Sequence, residues 1–513
     1  MDYDPAPPSP APNAGAPYGA PADLAVGFDL DMTLVDSSEG IVATVRAAVA
    51  ERGYTVDDAV MASSIGIPME DMLAPFLPAD LVLPVADRYR ELYPRIGVPL
   101  AFALPGAAAA FDAVRALHGR VVVVSAKPEP AVRLVLEHVG LQADVVVGRL
   151  FAADKAFALR EHGVSVYVGD HPGDVLGARA ASAFAVAVAT GPHDEAALAA
   201  TGADLVLPGL EQFAPWLAEH VLDQRLADLH ARLSATGSLM VAFSGGVDSA
   251  FLLAAAVRAL GPQNVVAATA VSDSLADGEL DQAADLARSL GVRHLTPRTD
   301  ELSREGYRAN AGDRCFFCKA ELLDVLGPLA TSLGIVAVAT GTNADDALAG
   351  FRPGIKAAAE RGALTPLRDA GFTKAQVRAA AARWDLPTWD KPAAACLSSR
   401  IAYGVQISSS GLARVDRAEA AVRHWCAEHG VGVRDLRVRD LGEDRARIEL
   451  DDSALAALAA LEQLAGEGAG AGWRAGGLLA DVVTAGFSTA ELDPRGFRSG
   501  SMNELLSTPE RYR

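Results

Sequence analysis

The chain has 513 residues, half of them apolar, and carries 45 Lys and Arg against 65 Asp and Glu, a formal net charge of −20. Such length predicts two or three domains, and so acidic a surface repels a phosphate backbone at long range, which argues against a nucleic-acid partner. No apolar run reaches the roughly 18–20 residues that cross a bilayer, and four cysteines are too few for a disulfide framework, so a reduced, cytoplasmic protein without membrane contact is expected.

Residues 1–23, MDYDPAPPSPAPNAGAPYGAPAD, lack a basic start and an apolar core, and so predict a disordered Pro/Ala-rich tail rather than a secretory signal. Residues 24–30 read as a strand that runs into Asp29-Leu30-Asp31-Met32-Thr33. Carboxylates at i and i+2 leave a strand on the same side, so Asp29 and Asp31 face one site beyond its end. That pattern suits Mg²⁺-assisted phosphoryl transfer, in which one aspartate attacks phosphorus and the other protonates the leaving oxygen. Further on, VVVVSAKPE ends a strand at Ser125, Lys155 opens a helix, and a strand over 164–168 runs into Gly169-Asp170-His171-Pro172-Gly173-Asp174. Each polar group follows an apolar run, so all can gather at one edge of a parallel sheet. The hydroxyl and ammonium suit phosphate oxygens, and the second acidic pair suits Mg²⁺.

This set, in this order, resembles the haloacid dehalogenase (HAD) superfamily over residues 24–218. The resemblance implies a HAD-like Rossmannoid domain with Asp29 as nucleophile and Asp31 as general acid/base. It also places Ser125 and Lys155 on the phosphate, and Asp29, Asp31, Asp170 and Asp174 around Mg²⁺. Asp31 favours phosphate-ester hydrolysis, since members that cleave C–halogen or C–P bonds lack a carboxylate there. Met32 stands where many phosphatases have Gly, for which altered packing is expected. Residues 37–105 are helical in pattern and match a cap inserted over the site. The segment Ser64-Ile65-Gly66-Ile67-Pro68 with residues 70–73 resembles the cap loop of phosphoglycolate-phosphatase-like members. Pro208-Gly209 and the stretch to Glu219 read as a joint, followed by an amphipathic helix over 222–233.

Residues 239–243 form a buried apolar run, Ser244-Gly245-Gly246-Val247-Asp248-Ser249 turns the chain, and 250–260 read as a helix. Strand, glycine turn and helix N-terminus together make a phosphate site, because glycine lets the backbone approach and the free amides point at the anion. No Gly-Lys-Ser/Thr follows, so this is not the kinase-type P-loop. It resembles the PP-loop of ATP pyrophosphatases. Strands over 264–271, before Asp273, and over 335–339, before Thr340-Gly341-Thr342-Asn343-Ala344-Asp345-Asp346, complete the expected α/β nucleotide domain.

Four further motifs join the Thr340–Asp346 stretch: Phe351-Arg352-Pro353-Gly354, Leu386-Pro387-Thr388-Trp389-Asp390-Lys391-Pro392, Ala395-Cys396-Leu397-Ser398-Ser399-Arg400-Ile401, and Arg498-Ser499-Gly500-Ser501-Met502-Asn503-Glu504. With SGGVDS they resemble the LarE family of ATP-dependent sulfurtransferases from about residue 222 onward. The resemblance implies adenylation of a carboxylate on pyridinium biscarboxylic acid mononucleotide, then displacement of AMP by sulfur, for the nickel-pincer cofactor. Ser244, Gly245, Gly246, Asp248 and Ser249 are expected to hold the pyrophosphate of ATP, and Ser399 and Arg400 the substrate phosphate or the departing AMP. Arg437 and Arg439 alternate along a strand, so both project from one face. They suit an anionic substrate or, equally, a charged outer face.

Three thiolates, Cys315, Cys318 and Cys396, can hold a zinc or leave one iron of a [4Fe–4S] cluster open. The three-cysteine pattern resembles the cluster-bearing members, while others surrender the sulfur of one cysteine, here Cys396. A disulfide pair is the remaining reading, and Cys426 reads as structural.

The expected architecture is thus α/β. A HAD-like domain spans 24–218, a PP-loop domain (adenine nucleotide alpha hydrolase-like) spans 222–403, and a smaller α+β substrate or oligomerisation domain spans 404–513. The expected partners are a small nucleotide substrate and a phosphate ester, in a homo-oligomer. The competing readings are a tRNA thiolase or an amide-forming synthetase of the same loop family, with the first domain only sensing a phosphorylated ligand.

Overall fold

The structure is a computed structural model that describes residues 24–348, 353–392, 395–465 and 477–498. The expected tail, Phe351 and Arg352, and residues 499–504 lie outside them. The chain divides into a compact unit over Ala22–Asp223 and another that begins at Gln224.

In the first unit the strands are β1 (Ala25–Phe28), β2 (Val35–Asp36), β3 (Phe102–Ala103), β4 (Arg120–Val124), β5 (Val145–Val147), β6 (Val166–Gly169), β7 (Phe184–Val188) and β8 (Leu205–Leu207). Six of them form one parallel sheet in the order β5-β4-β1-β6-β7-β8. Valine runs such as 121–124 are fully buried, as a sheet covered on both faces requires. From β1 the chain builds first to one side and then to the other, so the end of β1 lies at the switch point where open α/β sheets bind ligands. The insertion carries helices Ser38–Ala50, Asp58–Ser63, Met69–Leu73 and Ala79–Ile96. Its two ends are tied by β2 and β3, which pair antiparallel. Phe28 packs edge-on to Phe213 at 5.4 Å and tilted on Phe111 at 5.3 Å.

In the second unit β9 (Leu239–Ala242), β10 (Val265–Ala268), β11 (Arg293–Leu295) and β12 (Ala337–Thr340) form a parallel sheet in the order β11-β10-β9-β12. Helix Val247–Leu260 follows β9, and its Phe251 lies 5.3 Å from Phe372 and 5.0 Å from Trp384. A second sheet joins β13 (Leu436–Asp440) antiparallel to β14 (Arg445–Leu450), with β15 (Thr489–Leu492) parallel beside it. Leu436, Val438, Ile448 and Leu450 bury against helix Ser409–Glu428, whose Cys426 lies in that core. Both sheets belong to the same compact unit.

Two expectations about elements change. The stretch read as a joint up to Glu219 is largely helical: one helix runs from Phe213 to Ser234, since Pro215 falls in its first turn, where no intrahelical donor is needed. The strand expected over 264–271 ends at Ala268, and Val271 keeps only an isolated bridge to Arg298.

Candidate active sites

In the first unit Asp29, just beyond β1, donates its amide to the Val168 carbonyl at 2.8 Å, which sets it level with the end of β6. Lys155, 3% exposed, donates to Asp29 Oδ1 at 2.8 Å and to Asp174 Oδ1 at 2.6 Å. Thr33 donates to Asp170 Oδ1 at 2.9 Å. Asp174 also accepts the His171 amide at 3.1 Å, a capping box at the start of helix Pro172–Ala180 that fixes its rotamer. Donor oxygens of Asp29, Asp170 and Asp174 lie within 4.8 Å of one another.

Burial raises the Asp29 carboxyl to about 7, with Lys155 opposing and Asp174 and Asp31 adding to the rise. Burial, then the charges of Asp174 and Asp29, pushes Asp170 up as well. Asp170 Oδ2 is buried with no hydrogen-bond partner. An orphaned carboxylate oxygen among mutually repelling carboxylates fits a divalent cation, which would satisfy the oxygen and relieve the repulsion.

Asp31 departs from its expected place among the ligands. Its carboxylate stands outside the group of three and accepts from Ser37 and Lys127 instead. Neither partner had a role in the sequence reading, although Lys127 lies two residues beyond Ser125. Ser125 is 1% exposed, and with Asp29, Asp31 and Lys127 it lines a cavity of about 280 Å³ roofed by the cap. Met32 takes the left-handed conformation, φ 58°, which costs a side chain about 1–2 kcal/mol and glycine nothing.

In the second unit Gly245 turns at φ 70°, and helix Val247–Leu260 begins two residues later. The Ser249 hydroxyl donates to the Gly246 carbonyl at 3.1 Å and accepts the Ser244 amide at 3.2 Å, which closes the loop on itself. Asn343 donates to Asp248 Oδ1 at 3.1 Å, and Lys374 pairs with Asp248 Oδ2. Lys391 reaches the Gly245 carbonyl at 3.3 Å and Glu279 at 2.8 Å. The sequence reading assigned no role to Lys374 or Lys391. A cavity of about 330 Å³ lies against Ser244, Gly246, Asp248 and Ser249, with Lys319 and Asp346 in its wall.

A larger cavity, about 620 Å³, adjoins it and is lined by Cys318, Cys396, Arg400 and Arg437 among others. Cys315 and Cys318 sit in the first two turns of helix Arg314–Ser332, and Cys396 is exposed. Burial pushes the Cys318 thiol well above its usual range, and the charges of Cys396, Glu301 and Cys315 add to this.

The expected phosphate-binding pair is committed elsewhere. Arg400, 3% exposed, forks onto Glu419 at 2.9 and 3.2 Å and holds the carbonyls of Ala395 and Cys396, the latter at 3.0 Å. The Ser399 hydroxyl returns to the Cys396 carbonyl at 2.7 Å. Together they brace the cysteine loop.

Arg437 and Arg439 also part company. Both are buried, so neither forms a charged outer face. Arg437 lines the cysteine cavity, its guanidinium 5.1 Å from the Phe497 ring, and burial, then Arg400, lowers it to about 10. Arg439 forks onto Glu449 at 2.7 and 2.9 Å and holds the Ser399 carbonyl at 3.0 Å.

Comparison with known proteins finds relatives for parts of the chain. The model of the haloacid dehalogenase-like hydrolase family matches residues 26–179. A haloacid dehalogenase-like family hydrolase of known structure from Streptococcus pneumoniae is 24% identical and covers 38% of this chain and 99% of its own, with a TM-score of 0.35. Protein slr1717 of Synechocystis is 39% identical over 287 residues, 56% of this chain and 100% of its own. Pyridinium-3,5-bisthiocarboxylic acid mononucleotide synthase of Lactiplantibacillus plantarum is 33% identical over 286 residues, 56% of this chain and 96% of that enzyme. Among the described residues no helix is long and apolar enough to cross a membrane. The chain belongs to the LarE family, that of pyridinium-3,5-bisthiocarboxylic acid mononucleotide synthase, with a HAD-superfamily hydrolase domain fused to the shared region.

Proposed function

We propose that the chain is a bifunctional enzyme, an ATP-dependent sulfurtransferase acting on pyridinium biscarboxylic acid mononucleotide and a Mg²⁺-dependent phosphatase. One observation carries the first activity: the nucleotide cavity and the cysteine cavity share Ser244, Ala270, Leu275 and Leu322 as common wall. Activation and sulfur delivery thus have adjoining space.

The loop Ser244–Ser249 offers amides and a helix N-terminus to the pyrophosphate of ATP. A substrate carboxylate oxygen attacks the α-phosphorus, the α–β bridge breaks, and pyrophosphate leaves. Sulfur then attacks the acyl carbon, a C–S bond forms, and AMP departs with the electron pair of the C–O bond. Activation is needed because a carboxylate is a poor electrophile and an acyl phosphate has a good leaving group. Arg437, buried at the cavity wall, suits the anionic substrate.

Cys315, Cys318 and Cys396 would hold a [4Fe–4S] cluster. Cys318 and Cys396 line one cavity, and Cys315 lies one helical turn from Cys318, which supports that reading. When bound, a cluster supplies sulfide through the iron that no cysteine ligates. The competing source is the sulfur of Cys396 itself. Protein prepared without oxygen and incubated with ATP and the biscarboxylic mononucleotide should be brown, release AMP, and exchange oxygen for sulfur on the substrate repeatedly when sulfide is added. A colourless protein that turns over once and loses the mass of one sulfur would favour sacrifice of Cys396.

In the first unit Asp29 attacks phosphorus and forms an aspartyl phosphate, and Asp31 protonates the departing ester oxygen. Asp31 then takes a proton from the water that hydrolyses the intermediate. Ser37 and Lys127 orient Asp31, while Lys155 holds Asp29 and Asp174 apart as charges. Asp29, Asp170 and Asp174 would hold Mg²⁺, which neutralises the phosphoryl oxygens when bound. Asp29→Asn should abolish phosphate release from p-nitrophenyl phosphate; a wild-type chain with no such release would sink this half of the proposal.

A further inference from the structure

We infer that the phosphatase cavity selects esters with an uncharged leaving group that has an apolar face and a hydroxyl, the class of a nucleoside, over small carboxylated leaving groups such as glycolate. This rests on the phosphatase reading above and names its substrate class.

The floor of the cavity is the catalytic set. Its roof comes from the cap, and that roof is apolar: Ile67, Met69 and Met72 lie over the space, with Tyr89 beside them. Methionines are soft and adaptable, which suits a flat organic group better than a compact polar one. The only charges the roof contributes to the lining are Glu70 and Arg90, and these pair with each other. Arg90 spends its other terminal nitrogen on Asp87 at 2.7 Å. Its charge is therefore matched by two carboxylates before any ligand arrives.

Over the whole lining, Asp29, Asp31 and Glu70 face Lys127, Arg90 and Arg149. Lys127 is committed to Asp31. Arg149 is exposed, so solvent screens its pull on an anion. The phosphate itself would meet the cation that Asp29, Asp170 and Asp174 would hold. Among the described lining residues a second anion on the leaving group would meet the Glu70–Arg90 pair, whose charges already cancel, and no uncommitted buried cation. A hydroxyl would find in Glu70 a ready acceptor. Specificity here comes from leaving a second anion desolvated without a partner.

The test uses the full chain with Mg²⁺ and follows inorganic phosphate from three esters: p-nitrophenyl phosphate, AMP and phosphoglycolate. AMP is the product of the adenylation proposed for the second unit, so it is the first nucleotide to try. The expected result is a kcat/KM for AMP at least about tenfold above that for phosphoglycolate. Glu70→Gln frees the Arg90 charge to meet a second anion and should narrow this ratio several-fold. Equal or better use of phosphoglycolate, with p-nitrophenyl phosphate still cleaved, overturns the inference and leaves the phosphatase reading standing. A ratio unmoved by Glu70→Gln overturns the charge argument. No phosphate from any ester overturns the phosphatase reading itself.

Discussion

Glu419 is the most informative residue to remove, because it decides whether Arg400 is a brace or a substrate ligand. The two side chains are 5% and 4% exposed, and they meet through two N–O contacts of 2.9 and 3.2 Å. Glu419 also accepts the Val438 amide at 3.1 Å, so it ties the cysteine loop to β13. Glu419→Ala leaves the Arg400 charge buried and uncompensated, with Arg437 close enough to repel it. Removing one partner of a buried pair costs about 3–5 kcal/mol. Against a typical total of roughly 5–15 kcal/mol, that brings the unit near unfolding. Glu419→Gln keeps one acceptor and should cost about 2 kcal/mol. The assay is urea denaturation followed by tryptophan emission, since Trp425 lies buried in the same helix. Phosphate release serves as the control that the first unit is intact. Arg400→Met/Glu419→Leu, with the charge gone from both sides, should be more stable than Glu419→Ala alone. If Glu419→Gln changes stability by less than about 0.5 kcal/mol while sulfur transfer is lost, Arg400 is not held as a brace and the reasoning fails.

Gly341→Ala should disturb the nucleotide loop from outside it. A Cβ there would lie 2.8 Å from the Ser249 amide nitrogen and 3.0 Å from the Asp248 carbonyl carbon, so the KM for ATP should rise about tenfold, as initial rates of AMP release would show. Gly191→Ala would set a methyl 1.9 Å from Asp170 Oδ2; phosphate release titrated with Mg²⁺ should need about tenfold more cation, and an unshifted midpoint would place the ion elsewhere. Asp451 caps helix Asp452–Ala465. Against the upward pull of burial, the Ser453 hydroxyl and the amides of Asp435, Ala454 and Arg434 lower its carboxyl to about 2, from an ordinary 3.8. A depressed carboxyl stabilises above its ordinary value and loses that contribution as pH falls from about 4 towards 2. Asp451→Ala should therefore cost about 1 kcal/mol at neutral pH and progressively less below pH 4, by urea denaturation at each pH.

Much of both sites was legible because their residues sit in short motifs at strand ends. An apolar run followed by a polar cluster marks the end of a parallel strand, and neighbouring ends converge at a switch point. Asp29, Asp170 and Asp174 come together on that logic although they are far apart in the chain. Local motifs say less about partners. Lys127 and Ser37 were visible as residues, but only the cap and β4 bring both to Asp31. Lys374 reaches Asp248 across 126 residues, a distance at which no spacing rule operates.

The sequence by itself determined the α/β class, the glycine turn at Ser244–Ser249, the carboxylates at strand ends and the three cysteines. Each rests on short-range periodicity and on chemistry that few residue types can perform. Only the tertiary structure decided what the arginines do. Arg400, Arg437 and Arg439 look alike in the chain, and a guanidinium can serve a ligand or a buried carboxylate equally well. Burying so strong a charge demands a partner. Glu419 and Glu449, which supply it for Arg400 and Arg439, are identified only when β13, β14 and helix Ser409–Glu428 pack together.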